Sequence, residues 1–123
     1  MRPAHVLRVL LLFALVAAVG CESENRGKVE GKRWRSGAAT VKGQPVPDGA
    51  MMIDFRQNGK LVFRAGNQFI DGSYRLGFGR TIHITLDRPI AGRRQHDETI
   101  EVRGDRLTMT DSDGTSLTFY EDR

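Results

Sequence analysis

Hydrophobic and polar residues alternate along most of the chain after residue 31. In residues 51–55, for example, Met51, Ile53 and Phe55 occupy alternate positions, with Asp54 between the last two. Similar alternation recurs in residues 61–65, 82–86, 100–103 and 107–110. A two-residue period places alternate side chains on one face of a β-strand. Because no stretch after residue 22 has a helical period over a useful length, the pattern predicts an all-β domain.

Turn-forming residues separate the alternating runs. The pair Asn58-Gly59 is the strongest hairpin signal, because both residues tolerate positive φ. Weaker turn signals stand at Gly66-Asn67, Asp71-Gly72, Gly77-Phe78-Gly79, Gly104-Asp105 and Asp113-Gly114. With a first strand near Lys32 to Thr40, this gives about eight short strands at regular spacing, which is typical of a sandwich or barrel.

Consecutive tight hairpins favour an up-and-down meander, and closing the meander into a barrel removes its exposed edges. The chain has one cysteine and so cannot form an internal disulfide. We therefore predict an eight-stranded antiparallel up-and-down barrel over residues 31–123.

Large apolar side chains at the alternating positions are predicted to face the barrel interior. The candidates are Trp34, Phe55, Phe63, Tyr74, Ile84, Met109 and Phe119. A barrel of eight strands has room for side chains alone or for one small ligand. The abundance of large side chains favours a filled interior, and a pocket for an apolar ligand is the alternative.

Residues 1–20 have the three parts of a secretory signal. Arg2 and Arg8 make the start basic, and residues 9–19 are almost purely apolar. A small-residue cleavage site then precedes Cys21. The apolar run is too short for a permanent membrane span, which needs about 20 residues. We interpret the segment as a signal peptide that is removed on export.

The residues Ala18-Val19-Gly20-Cys21 resemble the lipobox of bacterial lipoproteins. The resemblance implies cleavage just before Cys21 and lipidation of its thiol by a diacylglycerol, and two acyl chains anchor a protein stably. It also implies an exported protein held at the cell membrane. Glu22, in place of an aspartate, favours the outer membrane if the cell has one. Ordinary cleavage with a free Cys21 remains an alternative.

Residues 21–30 are polar and lack periodicity, so we predict a flexible tether between anchor and domain. Arg2 and Arg8 leave with the signal, so the 19 basic side chains become 17 against 15 acidic ones, a net charge of +2. This charge is too small to indicate nucleic-acid binding. Basic residues close after the anchor either approach anionic head groups or remain solvated.

The start of the barrel region resembles the Gly-x-Trp opening of lipocalins, with Gly31 and Trp34 separated by one extra residue. Its later motifs are similar to those of short lipocalin-like domains in bacterial exported lipoproteins. These motifs are Phe55 to Lys60, Gly72 to Tyr74, Gly104 to Thr108 and Asp111 to Gly114. They are mostly turn residues, so the resemblance implies a fold and leaves the function open.

Residues 89–97 form the longest break in the alternation, and we predict an exposed loop there. The candidate partner contacts are Arg93, Arg94, His96 and Asp97. Loops carry function more often than barrel walls do. The two arginines could hold a carboxylate or a phosphate through bidentate hydrogen bonds.

The sequence offers little for metal binding or catalysis. Only His83 and His96 remain as histidines after signal removal, whereas a zinc site needs three or four suitable ligands. A catalytic set of His96, Asp97 and a serine is defined by geometry that the sequence does not supply. We predict no metal, no cofactor and no enzymatic activity.

Three classes of function remain, and the sequence favours a lipid-anchored module that contacts another envelope protein or inhibits an extracellular enzyme. The alternative is a carrier or sensor of a small apolar ligand in the barrel, and an enzyme is the third class. An exposed apolar patch or a protruding loop would favour the interaction module. A large apolar cavity open at the barrel mouth would favour the carrier.

Overall fold

A computed structural model describes residues 23–123, which form ten β-strands. They are β1 (Lys32–Ser36), β2 (Ala39–Val41), β3 (Gln44–Val46), β4 (Met51–Phe55), β5 (Lys60–Ala65), β6 (Gln68–Leu76), β7 (Thr81–Ile90), β8 (Arg93–Arg103), β9 (Arg106–Thr110) and β10 (Ser116–Glu121). The predicted signal peptide and the predicted lipidation site lie outside the described residues. Within residues 23–123, no helix is long and apolar enough to cross a membrane.

Eight of the strands close into one antiparallel barrel. The order around the wall is β1, β10, β9, β8, β7, β6, β5 and β4, and β4 pairs with β1 to complete the circle. Trp34 lies at this closure, opposite Ile53 on β4 and Glu121 on β10. The predicted eight-stranded antiparallel up-and-down barrel is therefore confirmed.

The remaining two strands, β2 and β3, form a separate hairpin between β1 and β4. The predicted first strand, Lys32 to Thr40, is split, because β1 ends at Ser36 and the chain then leaves the barrel wall. Lys42 and Gly43 make the hairpin turn, with φ of 50° and 78°. Positive φ at both central residues is the backbone of a tight hairpin turn.

The two ends of the barrel differ. The mouth is the end that carries the β2–β3 hairpin and the turns at residues 66–67, 91–92 and 111–115. The closed end carries the turns at residues 56–59, 77–80 and 104–105, together with residues 23–31, which we call the N-terminal plug.

The N-terminal plug packs against the closed end. Ser23 forms a β-bridge with Gly79. Asn25 is buried and its Nδ2 donates a hydrogen bond to the Ile100 carbonyl at 3.2 Å, while Val29 is fully buried in the core. Residues 23–30 therefore pack against the barrel, in the region where the sequence predicts a flexible tether. Val29 is a single apolar residue in a polar stretch, so the sequence has no periodicity there. Its burial and the backbone hydrogen bonds of the segment together hold the segment against the barrel.

Every barrel strand contributes to one core. The buried apolar side chains are Val29, Trp34, Ile53, Phe55, Leu61, Ile70, Tyr74, Ile82, Ile84, Leu86, Ile100, Leu107 and Phe119. Phe63 and Met109 are partly buried and pack against this cluster. Because the closed sheet and its core lie within residues 23–123, a chain that begins at Ser23 contains the complete described fold.

The loop predicted at residues 89–97 is instead part of a strand pair. β7 and β8 continue towards the mouth, and backbone pairing in residues 87–95 occurs only between these two strands. We call this part the β7–β8 ribbon. Its register shifts between Thr85 and Ile90, and most of its side chains are exposed. A bulge and mostly exposed side chains abolish the alternation that would reveal a strand.

Gly72 lies inside β6 and not in the turn predicted from Asp71-Gly72. It pairs with Leu86 on β7. A Cβ atom added at Gly72 would lie 2.4 Å from the Thr85 carbonyl oxygen. Glycine within a strand often marks a bulge, a tight bend or the close approach of another backbone.

Candidate functional site

The half of the barrel next to the mouth is hollow. Two adjoining cavities of about 130 and 410 Å³ occupy it. The residues that line both are Ile53, Phe63, Ile90, Glu98 and Met109. Because four of these five side chains are apolar, the space favours an apolar occupant over water.

The β2–β3 hairpin covers the larger cavity. Val41 at the end of β2 and Val46 at the end of β3 both line it. Leu117 and Phe119 of β10 line the same cavity from the barrel wall. The hairpin therefore extends the apolar lining beyond the strands that form the barrel.

The half next to the closed end is filled. Trp34 and Phe55 are fully buried there. The Phe55 and Tyr74 rings meet edge to face with their centroids 4.9 Å apart, and the Tyr74 hydroxyl donates to the Arg56 carbonyl at 2.6 Å. Burial raises the pKa of Tyr74 to about 12, and the negative charge of Glu30 adds to the rise. Side chains thus fill one half of the interior and leave the other half open.

Glu98 is the ionisable residue that lines both cavities. Its Oε2 is buried and has no hydrogen-bond partner among residues 23–123. Burial raises the pKa of Glu98 to about 7; the Asp111 carboxylate adds to the rise and the Arg93 guanidinium opposes it. A neutral carboxyl group donates one hydrogen bond, whereas a carboxylate only accepts them. Near neutral pH, Glu98 can therefore contact a ligand either as a hydrogen-bond donor in its neutral form or as an acceptor in its ionised form.

His96 lines the smaller cavity two residues before Glu98 on the same strand. Its Nε2 lies 2.9 Å from the Arg93 carbonyl oxygen. Since a carbonyl can only accept, Nε2 carries the proton in this contact. His96 is thereby held in the wall, with its ring towards the cavity.

The four predicted partner contacts lie on β8 and do not share one surface. Arg93, Arg94 and Asp97 are exposed. His96 is the exception, because it lines the inner cavity. Asp97 instead pairs with His83 on the outer face, with Nδ1 and Oδ1 2.8 Å apart. His96 and Asp97 therefore lie on opposite faces of the strand and cannot act on one reacting centre.

The outer face of β6, β7 and β8 carries a polar pocket of about 360 Å³. Ser73, His83, Gln95 and Asp97 are among its lining residues. The His83 side chain is partly exposed and that of Asp97 is exposed, so their contact contributes little to stability.

Sequence reasoning missed Glu98 as an interior residue, although the signal was present. Ile100 and Val102 were recognised as alternate inward positions, and the same two-residue period continues back to Glu98 and His96. Charged residues in a stretch without apolar alternation favour a solvated loop, and this hides the inward positions of Glu98 and Ile90.

Comparisons with protein-family models, with curated proteins and with solved structures find no match to this chain. The fold class of the protein is therefore assigned from its own architecture. A closed eight-stranded antiparallel up-and-down barrel with an internal cavity at one end is consistent with a lipocalin-like fold.

Proposed function

We propose that the protein is a lipid-anchored lipoprotein of the cell envelope that binds a small, largely apolar ligand in the mouth of its barrel. The observation that carries the proposal is the hollow half of the interior. The cavity of about 410 Å³ is within the range of about 300 to 1,000 Å³ typical of small-molecule sites. Its lining is mostly apolar with two carboxyl groups, Glu98 and Asp111, which matches the usual composition of such sites.

The carrier function was the alternative from the sequence, and the cavity raises it above a protein-interaction module. A filled barrel would have left only its surface for binding. Here Phe63 and Met109 border empty space, so the interior can hold an occupant without a change of fold.

The ligand proposal is tested by native mass spectrometry of residues 23–123 purified from a lysate. We expect a reproducible mass increment that is lost on denaturation. Met109→Trp should remove it, because the larger ring fills the cavity, whereas Thr108→Trp on the neighbouring outward position should keep it. Calorimetric titration with dodecanol provides a direct probe. Bare protein that also fails to bind dodecanol, dodecylamine and dodecanoate would contradict the carrier function.

The anchoring part of the proposal is supported by residues 1–21 of the sequence alone. We expect the full chain, expressed in a bacterium, to be extracted from membranes with the mass of residues 21–123 plus a diacylglycerol. Cys21→Ser should abolish the added mass. A soluble product with an unmodified cysteine would refute the anchor and leave the ligand proposal standing.

A protein-interaction module remains the second candidate because the β7–β8 ribbon protrudes from the wall. Arg93 and Arg94 are exposed on it, and neither forms an ion pair within residues 23–123. Cross-linking in envelopes should then give a product that is lost in the double variant Arg93→Glu/Arg94→Glu and kept in Arg75→Glu. A product that all three proteins form equally would argue against the ribbon.

A further inference from the structure

The groups in the cavity lining that carry a charge at neutral pH are mainly acidic. Glu98 and Asp111 provide two carboxyl groups. Among the described residues that line the two cavities there is no lysine or arginine, and His96 is the one nitrogen base. Arg93 acts on Glu98 through its charge but does not line either cavity. An anionic head group entering this space would therefore meet two acids and no basic partner of fixed charge.

The Oε2 atom of Glu98 also lacks a donor. It is buried without a hydrogen bond among residues 23–123. Asp111 differs, because its Oδ1 already accepts hydrogen bonds from the Asp113 and Thr115 amides at 2.9 and 3.0 Å. An unsatisfied buried oxygen is costly, and a donor from the ligand removes that cost. Glu98 is thus the group in the cavity that most needs a ligand donor.

We infer that the ligand is an amphiphilic amine, with its apolar body in the mouth cavities and its protonated nitrogen against the Glu98 carboxylate. This inference rests on the proposed ligand-binding function and specifies the chemistry of that ligand. An ammonium group supplies both the missing hydrogen-bond donor and the opposite charge, and charge-assisted hydrogen bonds are stronger than neutral ones. A hydroxyl group supplies the hydrogen bond without the charge, and a carboxylate adds a third negative charge.

The test compares three probes with the same alkyl chain: dodecylamine, dodecanol and dodecanoate. Each is titrated calorimetrically into residues 23–123 at pH 7.5, below its micelle concentration. We expect dodecylamine to bind about tenfold or more tightly than dodecanol, which corresponds to about 1.4 kcal/mol, and dodecanoate to bind most weakly. Glu98→Gln should reduce the preference for the amine over the alcohol by a similar factor. Asp97→Asn is the matched control, since it removes the adjacent carboxylate on the outer face, and it should keep the preference.

Equal affinity for amine and alcohol, or a preference for dodecanoate, would overturn the inference while leaving the carrier function intact. The inference would also be overturned if Asp97→Asn lost the preference for the amine as fully as Glu98→Gln, because surface charge would then explain the preference. If none of the three probes binds, the carrier function itself fails. Circular dichroism verifies the fold of each variant, and the comparison of probes in the unmodified chain decides the matter even if Glu98→Gln does not fold.

Discussion

Glu98 should make the barrel less stable as the pH rises through the weakly acidic range. Its pKa is about 7 in the folded protein against 4.5 for an ordinary glutamate. The fold therefore binds more protons than the unfolded chain between these two values. By linkage, this contribution to stability is fully present below about pH 4.5 and is lost as the pH rises through about 7.

The size of this effect follows from the shift. One pKa unit corresponds to about 1.4 kcal/mol, which sets an upper bound of about 3 kcal/mol for Glu98. The side chain is only partly buried, so solvent screening reduces the expected loss to about 1 to 2 kcal/mol. The charges that act on Glu98 are those of Asp111, Arg93 and Asp97, and His96 lines the same cavity.

The assay is urea unfolding of residues 23–123 at several pH values from 4.5 to 7.5. Trp34 is the one tryptophan and is fully buried, so its fluorescence reports the loss of the core. The other titrating groups cancel when the unmodified chain is compared with Glu98→Gln. We expect the difference in unfolding free energy between them to change by about 1 to 2 kcal/mol across this range. Asp97→Asn should keep most of the pH dependence of the unmodified chain, because Asp97 makes the smallest contribution to the raised pKa of Glu98. Parallel curves for Glu98→Gln and the unmodified chain would refute the reasoning.

Two further predictions concern stability and use the same unfolding assay. Gly72→Ala should destabilise the barrel by about 2 to 3 kcal/mol, because its Cβ would lie 2.4 Å from the Thr85 carbonyl oxygen, a backbone atom that cannot rotate away. Ser73→Ala should change stability by less than about 0.5 kcal/mol. Equal effects of the two substitutions would contradict the steric explanation. Asn25→Ala should cost about 1 to 3 kcal/mol, because the buried Ile100 carbonyl loses a donor. A neutral result at Asn25 would mean that the N-terminal plug does not stabilise the closed end.

Turn chemistry and two-residue alternation were enough to predict the barrel. Asn58-Gly59 lies between β4 and β5 as predicted, and the alternation of residues 51–55 matches a strand with Ile53 and Phe55 buried. These signals are local, and an up-and-down barrel is built from local hairpins. The closure of β1 on β10 joins the two ends of the domain, and it was inferred from the need to remove edges.

Two of the features that sequence reasoning misses depend on distant contacts. Gly72 has the same sequence signal in a strand as in a turn, and only the approach of β7 distinguishes the two. Val29 is one apolar residue in a polar stretch, and its burial depends on the barrel that it caps. For both, the deciding partner lies far along the chain, where periodicity gives no information. Glu98 differs, because the two-residue period that contains Ile100 and Val102 already directs it inward, and only its charge favours an exposed position.

The opposite positions of the N-terminal plug and the mouth have a consequence for access. Ser23 lies at the closed end, two residues after Cys21, whereas the cavities lie at the other end of the barrel. With a lipid on Cys21, we expect the closed end to face the bilayer and the mouth to face the aqueous space. A ligand would then be captured from, and delivered to, the solution or a facing surface. Lateral exchange with the anchoring leaflet would be blocked by the packed half of the protein.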